Sequence, residues 1–290
     1  TEKGNAVGDD DLLAVTEAEV AADPTNLALR EDFITLLLER DGGTTPFDLA
    51  GFVQRERTKL AQINALQPAS ASLEKLRPPT TAESGPRPEG FQTRDQFAFL
   101  QYADAGETVT LELTTGKIYD KVAQVELHGP SGKKLETYTL PADKKTFSIT
   151  FTAGRSGLHR LVRSQEFSHR IAILSSRPGN GYLVEGGQEF LSRKGRLYFE
   201  VPAGIGKFTV GVSSDSVADA ALFNQAGREV QRQAGIQSLH LFSAERAETA
   251  DSEIWYLDVS NAAWAVTVRL YSPLQPVVGT QPETLLRAKP

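Results

Sequence analysis

The spacing of apolar positions divides the chain into a helical part and a strand part. Between residues 9 and 67 apolar side chains recur with helical spacing, which predicts amphipathic helices. The segment Asp9–Ala22 is predicted as the first of them. Asp23 with Pro24 and Thr45 with Pro46 are predicted to begin two more, because a capping residue followed by proline is typical of a helix N-terminus. Residues 1–67 are therefore predicted to form a small α-helical region.

Composition changes between residues 68 and 92, where prolines are joined by Ser, Thr, Glu and Gly. Such a stretch favours neither helix nor sheet and is typical of a semi-rigid, extended linker. Beyond it apolar and polar residues alternate, as in "TVTLEL", where Val109, Leu111 and Leu113 share one face. This alternation predicts half-buried antiparallel strands over the rest of the chain.

Two stretches of the strand part resemble each other. "FAFLQYADAGETVTLEL" and "YFEVPAGIGKFTVGV" both contain an aromatic strand, an Ala-Gly turn and a second strand. Gly106 and Gly204 are 98 residues apart, and the hairpin glycines Gly132 and Gly227 are 95 apart. Glycine suits a tight turn between paired strands because it adopts positive φ without steric cost. A third correspondence aligns "GLHRLVRS" with "WAVTVRLYS".

A spacing near 100 residues is the usual size of one β-sandwich. The predicted fold is therefore mainly β, with two tandem antiparallel β-sandwich domains of jelly-roll-like form preceded by the small α-helical region. The predicted domains are the helical region 1–67, the linker 68–92, the first sandwich 93–176, the second sandwich 177–273 and a C-terminal tail 274–290.

Composition and charge exclude several classes of function. The formal net charge of -6 gives no overall support to a phosphate-binding surface, so nucleic acid is not an expected partner. No run of 18 or more apolar residues is present, so no membrane span is expected. Cysteine is absent, which removes thiolate nucleophiles and Cys-ligated zinc. Methionine is absent too, and we expect the chain to be a processed form or a fragment of a larger protein.

No catalytic constellation emerges from the remaining residue types. None of His128, His159, His169 and His240 has the spacing of a metal-binding motif, and no Gly-x-Ser-x-Gly motif is present. "GIGKF" lacks the Walker spacing and a following helix. We therefore predict no catalytic residue, no metal site and no cofactor.

Exposed aromatic rings are the remaining candidates for ligand binding, since sugars stack on them at half-wet surfaces. Alternation places Trp255 and Trp264 on inward faces, which predicts that both are core residues. Tyr256 and Tyr271 lie on the opposite faces, and Tyr182 lies in the Gly-rich "PGNGYLVEGG" loop. These three tyrosines are the candidate ligand platform, with ordinary surface tyrosines as the alternative.

The strand part also resembles a known family over about residues 93 to 288. "RDQFAFLQYADAGETVTLEL" followed by "VAQVELHGPSGKKL" resembles the bacterial pre-peptidase C-terminal domain, a β-sandwich appended to secreted enzymes. The second stretch, with "ALFNQAGREV" and "EIWYLDVS", is similar to C-terminal β-sandwiches of exported planctomycete-type carbohydrate-active enzymes.

The resemblance implies a non-catalytic accessory region of a larger secreted bacterial enzyme, expected to be carbohydrate-active. Such a region contributes stability, spacing or substrate proximity. Its expected partners are a polysaccharide or a catalytic domain of the same polypeptide, and its expected location is secreted, periplasmic or at the cell surface. The alternative is a cell-surface interaction or assembly protein that docks through its helical region.

Overall fold

The computed structural model is mainly β and contains several antiparallel sheets. It describes residues 9–22, a set of helical positions between 32 and 65, and residues 66–70, 73–79, 92–93, 96–117, 123–140, 146–163, 169–191, 194–248 and 251–288. The first predicted helix is confirmed as α1 (Asp9–Ala22). The predicted starts at Asp23 with Pro24 and at Thr45 with Pro46 lie outside the described residues. No helix in the described ranges has the length and apolarity needed to cross a bilayer.

The strands follow a short 3-10 helix at Leu73–Lys75. The strands up to residue 183 are β1 (Leu76–Arg77), β2 (Gln92–Thr93), β3 (Phe97–Ala103), β4 (Thr108–Lys117), β5 (Ala123–His128), β6 (Lys134–Leu140), β7 (Thr146–Thr152), β8 (Gly157–Arg163), β9 (His169–Ser175) and β10 (Asn180–Leu183). The later strands are β11 (Gln188–Leu191), β12 (Gly195–Val201), β13 (Lys207–Ser214), β14 (Ala218–Phe223), β15 (Glu229–Ile236), β16 (His240–Glu245), β17 (Glu253–Ser260), β18 (Ala265–Leu270), β19 (Val277–Val278) and β20 (Arg287–Ala288).

These strands form one large sheet and two outer sheets, with a small two-stranded ribbon of β1 and β20. The shared sheet has the order β16-β13-β18-β11-β2-β9-β4-β7. The first outer sheet has the order β19-β10-β3-β8-β5-β6, and the second outer sheet has the order β12-β17-β14-β15. The shared sheet thus contains strands from both predicted sandwiches, joined where β11 pairs with β2.

The same pairing scheme occurs twice, in a first half (β2–β10) and a second half (β11–β19). In the first half β4 pairs with β7 and β9, and β5 pairs with β6 and β8. In the second half β13 pairs with β16 and β18, and β14 pairs with β15 and β17. Equivalent strands begin between 94 residues (Thr146 and His240) and 99 residues (Thr108 and Lys207) apart. The repetition seen in the sequence is therefore also a repetition of topology.

The pairing corrects two details of the sequence comparison. The third correspondence is wrong, because "GLHRLVRS" forms β8, whose counterpart is β17, whereas "WAVTVRLYS" contains β18, the counterpart of β9. The Ala-Gly turns do not join paired strands either. Each turn carries the chain from an outer sheet to the shared sheet, from β3 to β4 and from β12 to β13. Gly106 and Gly204 do have the expected positive φ, +83° and +75°.

The core lies between the shared sheet and the outer sheets, and its buried residues form one continuous cluster through both halves. In the second half the ring centroid of Phe208 lies 4.9 Å from that of Trp255, which joins the shared sheet to the second outer sheet. Between the halves the Tyr182 ring lies 5.1 Å from Phe99 and 5.4 Å from Phe190, in edge-to-face geometry that aromatic pairs prefer. The halves are thus packed together through aromatic side chains.

The C-terminal segment predicted as a tail is part of the fold. β19 pairs with β10 at the edge of the first outer sheet, and β20 pairs with β1 from the segment predicted as a linker. A second apolar cluster forms where these segments cover the outer sheets, and its buried members are Leu76, Leu100, Leu158, Val277, Leu285 and Leu286. The reason is hydrophobic burial, since Val277, Leu285 and Leu286 of this segment reach apolar positions on the outer faces of both halves.

Gly179 lies where the linker segment crosses the chain before β10, and it provides a test of that contact. Its φ is +75°, and a methyl group there would lie 2.6 Å from Cβ and 3.1 Å from Cα of Pro78. Gly186 has a similar φ, +73°, with no atom within 4 Å of the same position. We expect Gly179→Ala to lower the free energy of unfolding by about 1 to 3 kcal/mol more than Gly186→Ala, since only Gly179 adds overpacking to the backbone strain. Urea denaturation of both variants measures the difference, and equal losses would contradict the contact with Pro78.

Candidate functional site

The three candidate tyrosines have different environments. Tyr182 is 2% exposed and Tyr271 is 5% exposed, so neither presents a ring to solvent. The expectation that they form an exposed platform is corrected by this burial: Tyr182 packs between the two halves, and Tyr271 lies against Gly211, whose Cβ position is 3.1 Å from the tyrosine ring. Burial also raises the pKa of both hydroxyl groups.

Tyr256 is half-buried on the outer face of the second outer sheet, but both faces of its ring are covered. Phe223 from β14 stacks on it with centroids 4.8 Å apart and ring planes 5° apart. From β12, on the other side of β17, the Arg196 guanidinium carbon lies 5.0 Å from the ring centroid, and its Nε lies 3.1 Å from Asp258 Oδ2. A sugar could stack on Tyr256 only after one of these neighbours moved.

The two tryptophans also differ. Trp255 is 3% exposed, which confirms it as a core residue, and its Nε1 donates a hydrogen bond of 2.7 Å to Glu253 Oε2. The same prediction for Trp264 is wrong, because this side chain is 42% exposed. Trp264 lies in the bend before β18, where the alternation of the strand has not yet begun, and its ring lies 5.3 Å from the Arg170 guanidinium carbon.

The described histidines have structural partners of different kinds. His159 is buried at the position of β8 equivalent to Trp255 of β17, and its ring lies 4.9 Å from that of Phe151. Burial lowers the pKa of His159, so the neutral ring is favoured. His128 has Nε2 3.1 Å from Glu126 Oε2 and Nδ1 3.0 Å from the Gly132 carbonyl oxygen. Within the described ranges no three His, Asp or Glu side chains lie together as a set of metal ligands.

A cleft of about 690 Å³ lies on the outer face of the first outer sheet. We call it the outer cleft. The segment before and within β1 forms one wall, β3 and β8 form the floor, and the turns before β6 and β8 form the other wall. Its lining residues are Glu74, Arg77, Tyr102, Pro130, Ser131, Gly132, Ser156, Gly157, Leu158 and Arg160. Its volume is within the range of small-molecule sites, about 300 to 1,000 Å³.

Two arginines line the outer cleft, and Arg77 is held there by backbone and aromatic groups. Arg77 Nη1 donates hydrogen bonds to the carbonyl oxygens of Glu74 and Leu76, at 2.5 and 2.7 Å, and its Cζ lies 5.5 Å from the Tyr102 ring centroid. Arg160 projects from the outer face of β8 toward the hairpin turn, where its Nη2 is 3.2 Å from the Cβ position of Gly132. Among the residues that the structure describes, neither guanidinium forms a salt bridge with a carboxylate.

Two carboxylates near the outer cleft, Glu126 and Asp104, have other partners. Glu126 lies two residues before His128 on the neighbouring strand β5, and its oxygens are 3.1 Å from Lys134 Nζ and 3.1 Å from His128 Nε2. Hydrogen bonds from these two residues lower the pKa of Glu126. Asp104 Oδ1 accepts a 3.3 Å hydrogen bond from the Tyr102 hydroxyl. Partial burial, and then Asp104, raise the pKa of Tyr102, so its hydroxyl stays protonated and can donate this hydrogen bond.

Sequence reasoning missed the outer cleft because its residues come from distant parts of the chain. Arg77 belongs to the predicted linker, Tyr102 to the end of β3, and Arg160 to β8. Each of them is an unremarkable polar or aromatic position in its own segment. Only the docking of the 73–79 segment against β3 and β8 brings them together, and no local spacing signals that contact.

No protein-family model matches this chain, and no curated protein matches it either. Function is therefore inferred from the fold, the outer cleft and the chemistry of its residues.

Proposed function

We propose that this chain is a non-catalytic accessory region of a larger secreted bacterial enzyme that acts on carbohydrate. It supplies stability, spacing or proximity to a polymeric substrate, the last by raising the effective concentration of the attached catalytic domain. Its partners are then a polysaccharide and a catalytic domain of the same polypeptide. Its location is secreted, periplasmic or at the cell surface.

The observation that carries the proposal is that the two halves have the same scaffold but different side chains at equivalent positions. They share strand pairing, apolar inward positions and turn glycines, all of which are scaffold. Equivalent positions of β8 and β17 carry different side chains. The outward position has Arg160 in β8 and Tyr256 in β17, and the inward position has His159 in β8 and Trp255 in β17. A duplicated scaffold with unlike surfaces suits a region that contributes area, rigidity and binding rather than one reaction centre.

The finer architecture belongs to the same proposal. Each half is a jelly-roll-like antiparallel β-sandwich made from one outer sheet and half of the shared sheet. The repeated pairing scheme supports it. We infer that the division lies between β10 and β11, because β10 pairs with β3 although it follows residue 177. The resemblance to the pre-peptidase C-terminal domain supports both the sandwich form and the attachment to a secreted enzyme.

Two measurements on the full chain test this function. The chain is incubated with polysaccharides, oligosaccharides and peptides, and we expect no release of reducing ends or new amines above a blank. It is then co-sedimented with insoluble polysaccharides, and we expect retention of the folded chain on at least one of them. Hydrolysis by the purified chain would refute the accessory role. Capture of a specific protein partner, with no retention on any polysaccharide, would instead favour the cell-surface interaction protein.

A further inference from the structure

We propose that the outer cleft binds an acidic saccharide, with Arg77 and Arg160 holding a carboxylate or sulfate group of the sugar. This inference rests on the proposed carbohydrate function and deepens it by naming the ligand class and the site. The proposed site contains none of the three candidate tyrosines. Tyr256 enters the argument only because it occupies the position of Arg160 in the second half.

Charge is the first reason. Two guanidinium groups line one cleft of a protein whose formal net charge is -6, and neither forms a salt bridge within the described part of the chain. The closest outward carboxylate on β5, Glu126, is occupied by Lys134 and His128. The arginines therefore keep N–H donors for an anion, and the planar guanidinium matches a carboxylate or sulfate with paired hydrogen bonds.

The second reason is that the Arg77 guanidinium is held in place before any ligand arrives. Two carbonyl oxygens and the Tyr102 ring hold Arg77. Arg160 Nη2 lies 3.2 Å from the position that a Cβ atom at Gly132 would occupy, so the absence of a side chain at this glycine leaves room for the guanidinium at the cleft. Less side-chain entropy is then lost on binding, which favours affinity.

The rest of the lining suits a sugar. Ser131 and Ser156 lie in the turns at the rim, where hydroxyl groups can exchange hydrogen bonds with sugar hydroxyls. Leu158 on the floor gives an apolar surface for the C–H face of a ring. Glu74 also lines the cleft and, as a carboxylate, can only accept hydrogen bonds, so it suits sugar hydroxyls and opposes a second acidic group beside it.

Within its described residues, the second half has no arginine at the position equivalent to Arg160. The position of Arg160 is taken by Tyr256, whose ring is covered by Phe223 and Arg196. Arg196 is itself paired with Asp258, at 3.1 Å. This makes Arg196→Gln a matched control, because it removes the same charge from the corresponding face of the other half.

The test is isothermal titration calorimetry of the full chain with four probes: an oligogalacturonate, a sulfated dextran oligomer, a neutral dextran oligomer of the same length, and inorganic sulfate. We expect at least one acidic oligomer to bind at least tenfold more tightly than the neutral oligomer and than sulfate. Arg160→Gln and Arg77→Gln should each weaken that binding at least tenfold, and Arg196→Gln should leave it within twofold. Arg160→Lys keeps the charge and loses the paired donors, so its affinity should lie between that of the unsubstituted chain and that of Arg160→Gln.

Circular dichroism and the melting temperature establish that each variant is folded. Failure of every acidic oligomer to bind overturns the inference, and so does equal affinity for the neutral oligomer or for inorganic sulfate. An equal loss in Arg196→Gln and Arg160→Gln would overturn the site. Co-sedimentation is a separate readout: retention on an insoluble polysaccharide with no acidic oligomer bound overturns only the outer cleft, whereas no retention on any polysaccharide counts against the accessory function itself.

Discussion

Replacing Trp255 by alanine should lower the free energy of unfolding by about 3 to 5 kcal/mol, as for large buried aromatics in general. Trp255 is 3% exposed and packs edge-to-face on Phe208, so its loss opens a cavity between the second outer sheet and the shared sheet. The Glu253 carboxylate also loses the hydrogen bond that the indole N–H donates to it. Chemical denaturation followed by circular dichroism measures the change.

Trp264→Ala is the matched control for that variant. The side chain is 42% exposed, and its contact with Arg170 is a surface cation–π pair worth about 0.5 to 1 kcal/mol. We therefore expect a loss of no more than about 1 kcal/mol. In a Trp264→Phe variant the remaining tryptophan emission should be blue-shifted and resistant to iodide. Similar losses for Trp255→Ala and Trp264→Ala, or ready quenching in Trp264→Phe, would contradict the core position of Trp255.

Leu285→Ala should destabilise the protein by about 2 to 5 kcal/mol, the range for a fully buried leucine. Leu285 is 0% exposed in the second apolar cluster, between the C-terminal segment, Leu76 of β1 and the outer faces of the sheets. The backbone around it is also fixed, since the Asn180 carbonyl oxygen accepts a hydrogen bond of 3.1 Å from Leu286 N–H. A cavity at Leu285 therefore weakens the attachment of the whole segment.

Leu135→Ala controls for the chemical change itself, because Leu135 is 54% exposed in β6. A surface substitution of this kind is expected to change stability by about 0.5 kcal/mol or less. Urea denaturation of both variants separates the two cases. If the C-terminal segment were a tail without a packing role, Leu285→Ala and Leu135→Ala would give the same small loss.

The strand alternation predicted the inward faces well wherever it was continuous. Trp255, Leu257 and Val259 are all buried, as their spacing of two requires. It misled at Trp264, which precedes β18 and is therefore not governed by the pleat. Period-two reasoning is valid only inside a strand, and the first residue of a strand cannot be located to one position from the pattern alone.

Exposure of the polar faces was harder to predict than burial of the apolar ones. Tyr271 alternates correctly with Leu270, but its outward face is covered, and the ring is buried against Gly211. Tyr182 is buried because β10 pairs inside the first outer sheet and packs against β11. Whether an outward face is exposed to water depends on which other segments pack on it. The alternation of apolar and polar residues within one strand carries no information about those segments.

The sequence by itself determined the mainly β class, the first helix, the turn glycines and the existence of a repeat, because each depends on local spacing and backbone conformation. Only the tertiary structure decided which strands pair, that the Ala-Gly turns cross between sheets, and that one shared sheet joins both halves. It also decided that residues 274–288 close the outer faces, and that Arg77, Tyr102 and Arg160 meet in one cleft. These are contacts between distant segments, and they form because apolar surface left by one element is buried by another far along the chain.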